Sequence, residues 1–287
     1  MNTLLAVDGS DHSYEAVRAL KYLRRADELT LLHVVDAPRP AYPVMNPEVA
    51  VELYDQMERT MKDDGDRLLT HVQSLLPPNS GPVIKRLEIG SPADIIATTA
   101  ETLHVDLIVI GARGLGPVKE RLFGSVSHRV LSYAPCAKLI LNGPLRGLRQ
   151  ILLPLQGQSD AEAALRFFQK EPFREPANVS LVTVLPPTRS PWPVENLATV
   201  KLEEQALQHA HEFVEDVATK IRALGHSTRS ASVLGTPAEM IVQQAEKGGS
   251  DLIMMGSRGR QGVTRFFLGS VSHAVLHQAQ CPVLVFE

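Results

Sequence analysis

Cysteine is scarce in this chain of 287 residues, and an excess of basic charge and long apolar runs are absent. Its two cysteines cannot build a disulfide framework or a four-cysteine zinc module. Lysine and arginine number 29 against 32 aspartates and glutamates. The chain therefore has no excess of cationic side chains to bind the phosphate backbone of a nucleic acid. No run approaches the roughly 20 apolar residues that a membrane helix requires. We therefore expect neither a nucleic-acid partner nor a membrane partner.

The beginning of the sequence also lacks the features of an export signal. Residues 1–8 contain no basic n-region and end on an acidic residue, Asp8. The composition, 44% hydrophobic and 21% charged, is ordinary for a globular protein, and the length suggests about two domains. We expect a cytoplasmic protein.

What the chain does contain is an internal repeat. Residues 106–141 align with residues 251–286 without a gap, and about half of the positions are identical. A period of this length corresponds to a whole domain rather than to the unit of a solenoid. The glycines and proline between the two copies interrupt any helix there. The predicted organisation is a first domain over residues 1–142, a linker over 143–149 and a second domain over 150–287.

Each copy alternates short apolar runs with longer amphipathic stretches. Runs rich in leucine and β-branched residues are typical of strands buried on both faces of a parallel sheet, and amphipathic stretches are typical of the helices that cover it. The alternation predicts an α/β fold with two repeated, doubly wound, five-stranded parallel-sheet domains of Rossmann-like type. In the first copy the predicted strands are 3–7, 29–35, 83–89, 107–110 and 137–141, and the predicted helices are 11–24, 53–75, 92–102 and 126–132.

Candidate binding residues fall where predicted strands end. Ligands of doubly wound sheets bind beyond the carboxyl ends of the strands, where the strand order reverses. Asp8 follows the first strand, Gly111 and Gly114 follow the fourth, and Gly124 and Ser125 open the next helix. The second copy repeats this G-x2-G-x9-G-Ser spacing at Gly256, Gly259, Gly269 and Ser270.

The residue types in this spacing predict a cradle for a di- or triphosphate. Glycines let backbone amides approach an anion, and the first amides of a helix, here near Ser125 and Val126, favour negative charge. Arg113 adds a charged donor. The turn is not a P-loop, because no Gly-Lys-Ser/Thr follows the glycines. Two alternatives remain open: a plain strand–helix connection for the glycines, and a helix-capping role for Asp8.

These motifs, in this order and present twice, resemble the universal stress protein family, as a tandem member of its ATP-binding type. The resemblance implies a regulatory or stress-response protein that binds ATP, with Mg²⁺ accompanying the nucleotide and no metal site of its own. It also implies the Rossmann-like fold of adenine-nucleotide α-hydrolases. The segments that carry it in the first copy are Val7–Ser10, Leu31–Val34, Gly90–Ala93, the glycine spacing and Cys136.

The resemblance also implies a role for each matching residue. In the first domain, Val7 and Val34 flank the adenine and Asp8 contacts the ribose. The phosphates are held by Gly111, Arg113, Gly114, Gly124, Ser125 and Val126. In the second domain Gln156 stands where the first has Asp8, so ATP should bind better in the first domain. The second phosphate half is complete: Gly256, Arg258, Gly259, Gly269, Ser270 and Val271.

No catalytic constellation emerges from the sequence, so no catalytic residue is assigned. A slow ATP hydrolase or phosphotransferase using the same phosphate-binding loops is the alternative function, because the fold alone does not decide between binding and turnover. We read His128, His273, Cys136 and Cys281 as structural residues.

The last strand of each copy offers an edge for pairing. The edges at residues 138–141 and 283–286 predict that the two domains pack as a pseudo-dimer within one chain. A further homodimer stays open.

Overall fold

A computed structural model of the chain describes residues 1–36, 47–114, 124–187, 197–257 and 268–286. These residues form two compact units. The first comprises Met1–Lys21 and Arg25–Cys136, and the second comprises Tyr22–Arg24 and Ala137–Glu287. The domain limits at 142 and 150 stay a prediction.

In the first unit, strands and helices alternate along the chain as the sequence indicates. The predicted strand 83–89 and helix 92–102 are confirmed residue for residue, and the long helix begins earlier than predicted, with a proline at its first position. The elements are β1 (Asn2–Ala6), α1 (Asp11–Ala19), β2 (Glu28–Val35), α2 (Pro47–Leu75), β3 (Val83–Ile89), α3 (Pro92–Thr102), β4 (Leu107–Gly111) and α4 (Ser125–Tyr133).

The strands of this unit form the predicted doubly wound arrangement, in the order β3-β2-β1-β4. β1 pairs in parallel with β2 on one side and with β4 on the other, and β2 pairs in parallel with β3. Leucines of the central strands, such as Leu5 and Leu107, are fully buried, as expected for strands covered on both faces. The strand order reverses between β1 and β4, so their carboxyl ends flank the expected ligand crevice.

The first helix is shorter than predicted. The sequence suggested a helix to residue 24, but α1 ends at Ala19 and a 3-10 turn follows over Leu20–Tyr22. Residues 22–24 make backbone bonds with 172–174 instead: Arg24 N donates to Pro172 O and Arg174 N donates to Tyr22 O. Contacts distant in sequence therefore override the local helical pattern.

The second unit repeats the alternation and adds one strand from the first sequence copy. Its strand order is β5-β10-β9-β6-β7-β8. The elements are β5 (Ala137–Leu141), β6 (Gln150–Pro154), α5 (Gln158–Gln169), β7 (Asn178–Leu185), α6 (Leu197–Ala223), β8 (Ser227–Leu234), α7 (Pro237–Lys247), β9 (Leu252–Gly256), α8 (Ser270–Gln278) and β10 (Val283–Phe286).

The strand β5 is the antiparallel member of this unit. Lys138 lies opposite Val285 and Ile140 opposite Val283, whereas β10 pairs in parallel with β9 on its other side. Packing of the two predicted domains as a pseudo-dimer, and any further homodimer, stay predictions. Among the described helices, none is both long and apolar enough to cross a membrane.

Cys281, just before β10, gives a direct check on the packing of the second unit. Burial raises the pKa of its thiol to about 11. In a Cys136→Ser variant at pH 8, we expect Cys281 to react with a disulfide reagent on the order of 100-fold more slowly than an exposed cysteine, because thiolate is scarce. Full reaction in guanidinium is the control. A native rate equal to the denatured rate would contradict this packing.

Candidate functional site

The candidate site of the first unit lies at the carboxyl ends of β1 and β4. Because the two strands are parallel neighbours, with Ala6 opposite Ile110, the residues that follow each strand emerge at one edge of the sheet. Asp8 follows β1, and Ala112 to Gly114 follow β4. The structure thus brings together the two groups of residues that the sequence singled out, about 100 positions apart.

The Asp8 carboxylate is anchored through one oxygen. Ser10 N and Ser10 Oγ both donate to Asp8 Oδ1, at 3.0 and 2.6 Å. The other oxygen, Oδ2, lies against Gly114: a Cβ built at this glycine would be 2.4 Å from it. Within the described ranges Oδ2 has no hydrogen-bond donor. Asp8 therefore presents an oriented carboxylate oxygen beside the glycine turn.

Ser10, rather than Asp8, caps the helix that follows. Its Oγ accepts a hydrogen bond from Ser13 N at 3.3 Å, the usual N-cap arrangement for α1. The same Oγ lies 3.1 Å from the carbonyl oxygen of Arg113 and so links α1 to the glycine turn. Because Ser10 caps the helix, capping does not account for Asp8. Sequence reasoning left a capping role open for Asp8 and missed this link.

The end of β4 is tied to the start of α4 by one carbonyl group. Ala112 O accepts from Gly124 N at 2.9 Å and from Ser127 Oγ at 2.8 Å. The N-cap of α4 is Gly124, which has no side chain to satisfy the first amides of the helix. Ser125 at the first position is exposed and Val126 is half-buried. The first turn of α4 is therefore suited to attract an anion.

Gly111 has a packing role in this arrangement. It is the last residue of β4, and a Cβ built there would lie 2.8 Å from His12 C and 2.9 Å from Ser13 N. Only a glycine lets the first turn of α1 lie this close to the strand. Its predicted contact with phosphate stays a prediction.

The two valines assigned to the adenine end lie on neighbouring strands. Val7 is buried, its N donates to Leu32 O at 2.9 Å, and Val34 in β2 is half-buried. The Val7 carbonyl accepts a hydrogen bond from His33 Nδ1 at 2.8 Å, which fixes the proton on that nitrogen. In the second unit Thr183 Oγ1 donates to Leu155 O at 2.9 Å in the same way.

The second unit keeps the phosphate half of the arrangement in its described part. Gly269 N donates to Ser257 O at 2.8 Å and Ser272 Oγ donates to Gly256 O at 2.9 Å. Ser270 begins α8 and Val271 follows it, with Gly269 as an N-cap that lacks a capping side chain. Two predicted phosphate ligands, Arg258 and Gly259, lie outside the described residues.

The nucleoside half of the second unit differs from that of the first. Gln156 follows β6 where Asp8 follows β1, and its backbone N donates to Asp160 Oδ2 at 3.0 Å. Asp160 Oδ1 lies 2.4 Å from a Cβ built at Gly256. Burial raises the pKa of the Asp160 carboxyl, and the hydrogen bond from Gln156 opposes that rise. Sequence reasoning missed Asp160, although His12 at the matching position of the first copy signals a difference in charge.

Clustered metal ligands do not occur in the part of the chain that the structure describes. No group of three or more histidine, cysteine, aspartate or glutamate side chains there could hold a metal ion.

Comparison with known families gives one match that spans both copies. The model of the universal stress protein family matches residues 1–142 and again residues 147–287. A universal stress protein from Mycobacterium tuberculosis is 28% identical over 99% of this chain and 96% of its own. A universal stress protein from Bacillus subtilis is 32% identical over 48% of this chain and 96% of its own, so it corresponds to a single copy.

Among solved structures, the fold recurs over nearly the whole chain. A universal stress protein from Archaeoglobus fulgidus covers 99% of this chain and 97% of its own, with a TM-score of 0.67 and 22% identity. Another structure from Archaeoglobus fulgidus holds dAMP; it covers 48% of this chain with 20% identity and a TM-score of 0.33. The first likeness shows the fold, and the second is too low to assign residues in this chain.

The buried Asp160 carboxyl predicts a pH-dependent effect on stability. Because its pKa in the folded chain is raised above the usual 3.8, the ionised group opposes folding above that raised pKa, and the cost fades as pH falls towards 3.8. We expect Asp160→Asn to unfold at a higher temperature than the parent at pH 7, with a smaller difference at pH 4.5. Exposed Glu162, on the same helix, provides the control Glu162→Gln, which should change little. Earlier unfolding of Asp160→Asn at pH 7 would contradict this account.

Proposed function

The chain belongs to the universal stress protein family, and we propose that it binds ATP, best in its first unit, as a stress-response or regulatory protein. The observation that carries this proposal is the position of the Asp8 carboxylate. One of its oxygens is held by Ser10 and the other lies against Gly114, at the crevice where the strand order reverses. An oxygen that can accept a hydrogen bond from a hydroxyl group thus lies beside the glycine turn and the first turn of α4, which has no capping side chain.

The chemistry of the first unit fits the parts of a nucleotide. The free oxygen of Asp8 can accept a hydrogen bond from a ribose hydroxyl. The first amides of α4 and the Arg113 side chain supply donors for phosphate oxygens, and Ser10 fixes the backbone of Arg113 through its carbonyl. Val7 and Val34 supply apolar surface at the other end, for the adenine. Mg²⁺ would neutralise the triphosphate without a protein ligand cluster.

Preference for the first unit follows from the difference at one position. Gln156 in place of Asp8 has an amide that can bond a hydroxyl but carries no charge, and hydrogen bonds to charged groups are the stronger ones. The second unit retains an uncapped helix start at Ser270. It is therefore proposed to hold phosphates with a weaker grip on the nucleoside.

A regulatory binding protein acts because ligand binding changes its stability or its conformation. A nucleotide that binds only the folded form of the chain raises its free energy of unfolding, by about 2.7 kcal/mol at a hundredfold excess over Kd. Such a change can alter the surface offered to a partner protein.

The test is binding of ATP to the intact chain and to Gly114→Ala. An alanine Cβ would displace Asp8 Oδ2, 2.4 Å away, while the main-chain conformation at this position accepts a side chain. We expect ATP to raise the melting temperature of the parent and Gly114→Ala to lose at least about tenfold in affinity by isothermal titration. Gly143→Ala is the matched control, because a Cβ there meets nothing within 4 Å.

Two results would overturn the proposal. One is a melting temperature that ATP, ADP and AMP all leave unchanged in the parent. The other is equal ATP affinity in the parent and in both alanine variants. Steady phosphate release from the parent, well above that of Gly114→Ala, would instead identify turnover as the activity of the site.

A further inference from the structure

The second unit has a carboxylate, Asp160, that does not align with Asp8 when the two copies are compared. Aligning the strand ends places Gln156 where the first unit has Asp8, so the acidic group looks lost. Asp160, four residues later and in the first turn of α5, lies back against the residues that follow β6 and β9. Its position corresponds to His12 in the first copy. The second unit therefore also has a carboxylate at its crevice, but at a different sequence position from that of the first unit.

Both units hold their carboxylate in the same manner. Asp8 binds a backbone N–H through Oδ1 and leaves Oδ2 over a glycine. Asp160 binds the backbone N–H of Gln156 through Oδ2 and leaves Oδ1 over Gly256. In neither case do the described residues provide a donor for the second oxygen. Each unit thus has one anchored oxygen and one that can accept a hydrogen bond from a ligand.

The glycine beneath Asp160 explains why the side chain reaches this place. Gly256 ends β9, and its Cβ would lie 2.4 Å from Asp160 Oδ1 and 3.1 Å from its carboxyl carbon. The equivalent glycine in the first unit, Gly111, has the backbone of α1 above it instead. β9 and β6 are adjacent and parallel, and the strand order of the second unit reverses between them. Asp160 Oδ1 therefore lies at the switch point, where ligands of this fold bind.

Folding alone does not account for a charge at this position. Burial raises the pKa of the Asp160 carboxyl, so the ionised form is there at a cost to stability. An asparagine would accept the same hydrogen bond from Gln156 without that cost. Asp160 has no ion-pair partner within the described ranges. Groups that lower stability where a neutral side chain would serve are characteristic of binding sites.

We propose that Asp160 is the hydroxyl-binding carboxylate of the second unit, and that it accepts a hydrogen bond from the sugar of an adenine nucleotide in place of Asp8. The inference rests on the proposed function. It adds a sugar-binding carboxylate on α5 to the phosphate-binding start of α8, so that the second unit lacks the counterpart of Asp8 but not a carboxylate at its crevice. The two units would then bind the same kind of sugar through carboxylates on different elements: the residues after β1 in the first unit and α5 in the second.

The experiment isolates the second site in the intact chain. Asp8→Ala removes the sugar-binding carboxylate of the first site, and AMP and 2′,3′-dideoxy-AMP are titrated by calorimetry into this background. We expect Asp160→Asn to weaken AMP binding about tenfold or more, as for loss of a hydrogen bond to a charged group. The dideoxy nucleotide, which has no hydroxyl to donate, should bind weakly and with equal affinity to the background and to its Asp160→Asn variant.

Glu162→Gln is the matched control for charge. Glu162 is an exposed acid on the same helix whose side chain accepts from Gln158, so its loss removes one negative charge without touching the crevice. It should leave AMP affinity unchanged. A melting curve of Asp160→Asn at or above that of the background shows that any lost binding does not come from unfolding.

Three outcomes for Asp160→Asn would overturn the inference. Asp160→Asn could leave AMP affinity unchanged, or lower the affinity for AMP and dideoxy-AMP equally, which would mean that no sugar hydroxyl is bound. It could raise the affinity for ATP, which would mean that Asp160 repels phosphate. If the background binds no AMP while the parent still binds ATP, the inference fails and the proposed function stands. If the parent binds no nucleotide, both fail.

Discussion

The first turn of α1 lies directly on the last residue of β4, and the rest of the first site depends on this contact. A Cβ at Gly111 would lie within 2.9 Å of the helix backbone, so any larger residue would push α1 away from the sheet. Displacing α1 would carry Ser10 with it. Ser10 holds both the Asp8 carboxylate and the Arg113 carbonyl. The absence of a side chain at Gly111 therefore allows the carboxylate and the glycine turn to lie next to each other.

Local sequence predicted much of the fold because its signals are strong at particular places. Pro92 and the residues before it define the start of α3, and the apolar runs mark β3 and β5 to the residue. The end of α1 was predicted wrongly because Arg24 bonds to Pro172, and no pattern within residues 11–24 reports a partner that distant. The antiparallel pairing of β5 with β10 likewise joins residues far apart in the sequence, so no local pattern reports it.

The candidate site was predictable where the two copies agree and unpredictable where they differ. Duplication drew attention to the glycines, whereas Asp8 was singled out by its position after the first strand. The structure places those of the first unit at one crevice. Asp160 resembled an ordinary first-turn acid of a helix, a position that favours negative charge in any protein. Only its contacts with Gln156 and Gly256 separate it from that common case. Comparison of the copies position by position, including gains as well as losses of charge, would have found it.

The position of β5 has a consequence for how this protein can be divided. The strand belongs to the first sequence copy, yet it covers one side of β10 in the second unit through the pairs between Leu139 and Leu284 and their neighbours. A fragment cut at the repeat boundary would carry the second copy without that cover. Its exposed strand would be open to pairing with other chains, the usual route to aggregation. The stretch of sequence that is repeated and the stretch that forms the second compact unit are therefore not the same.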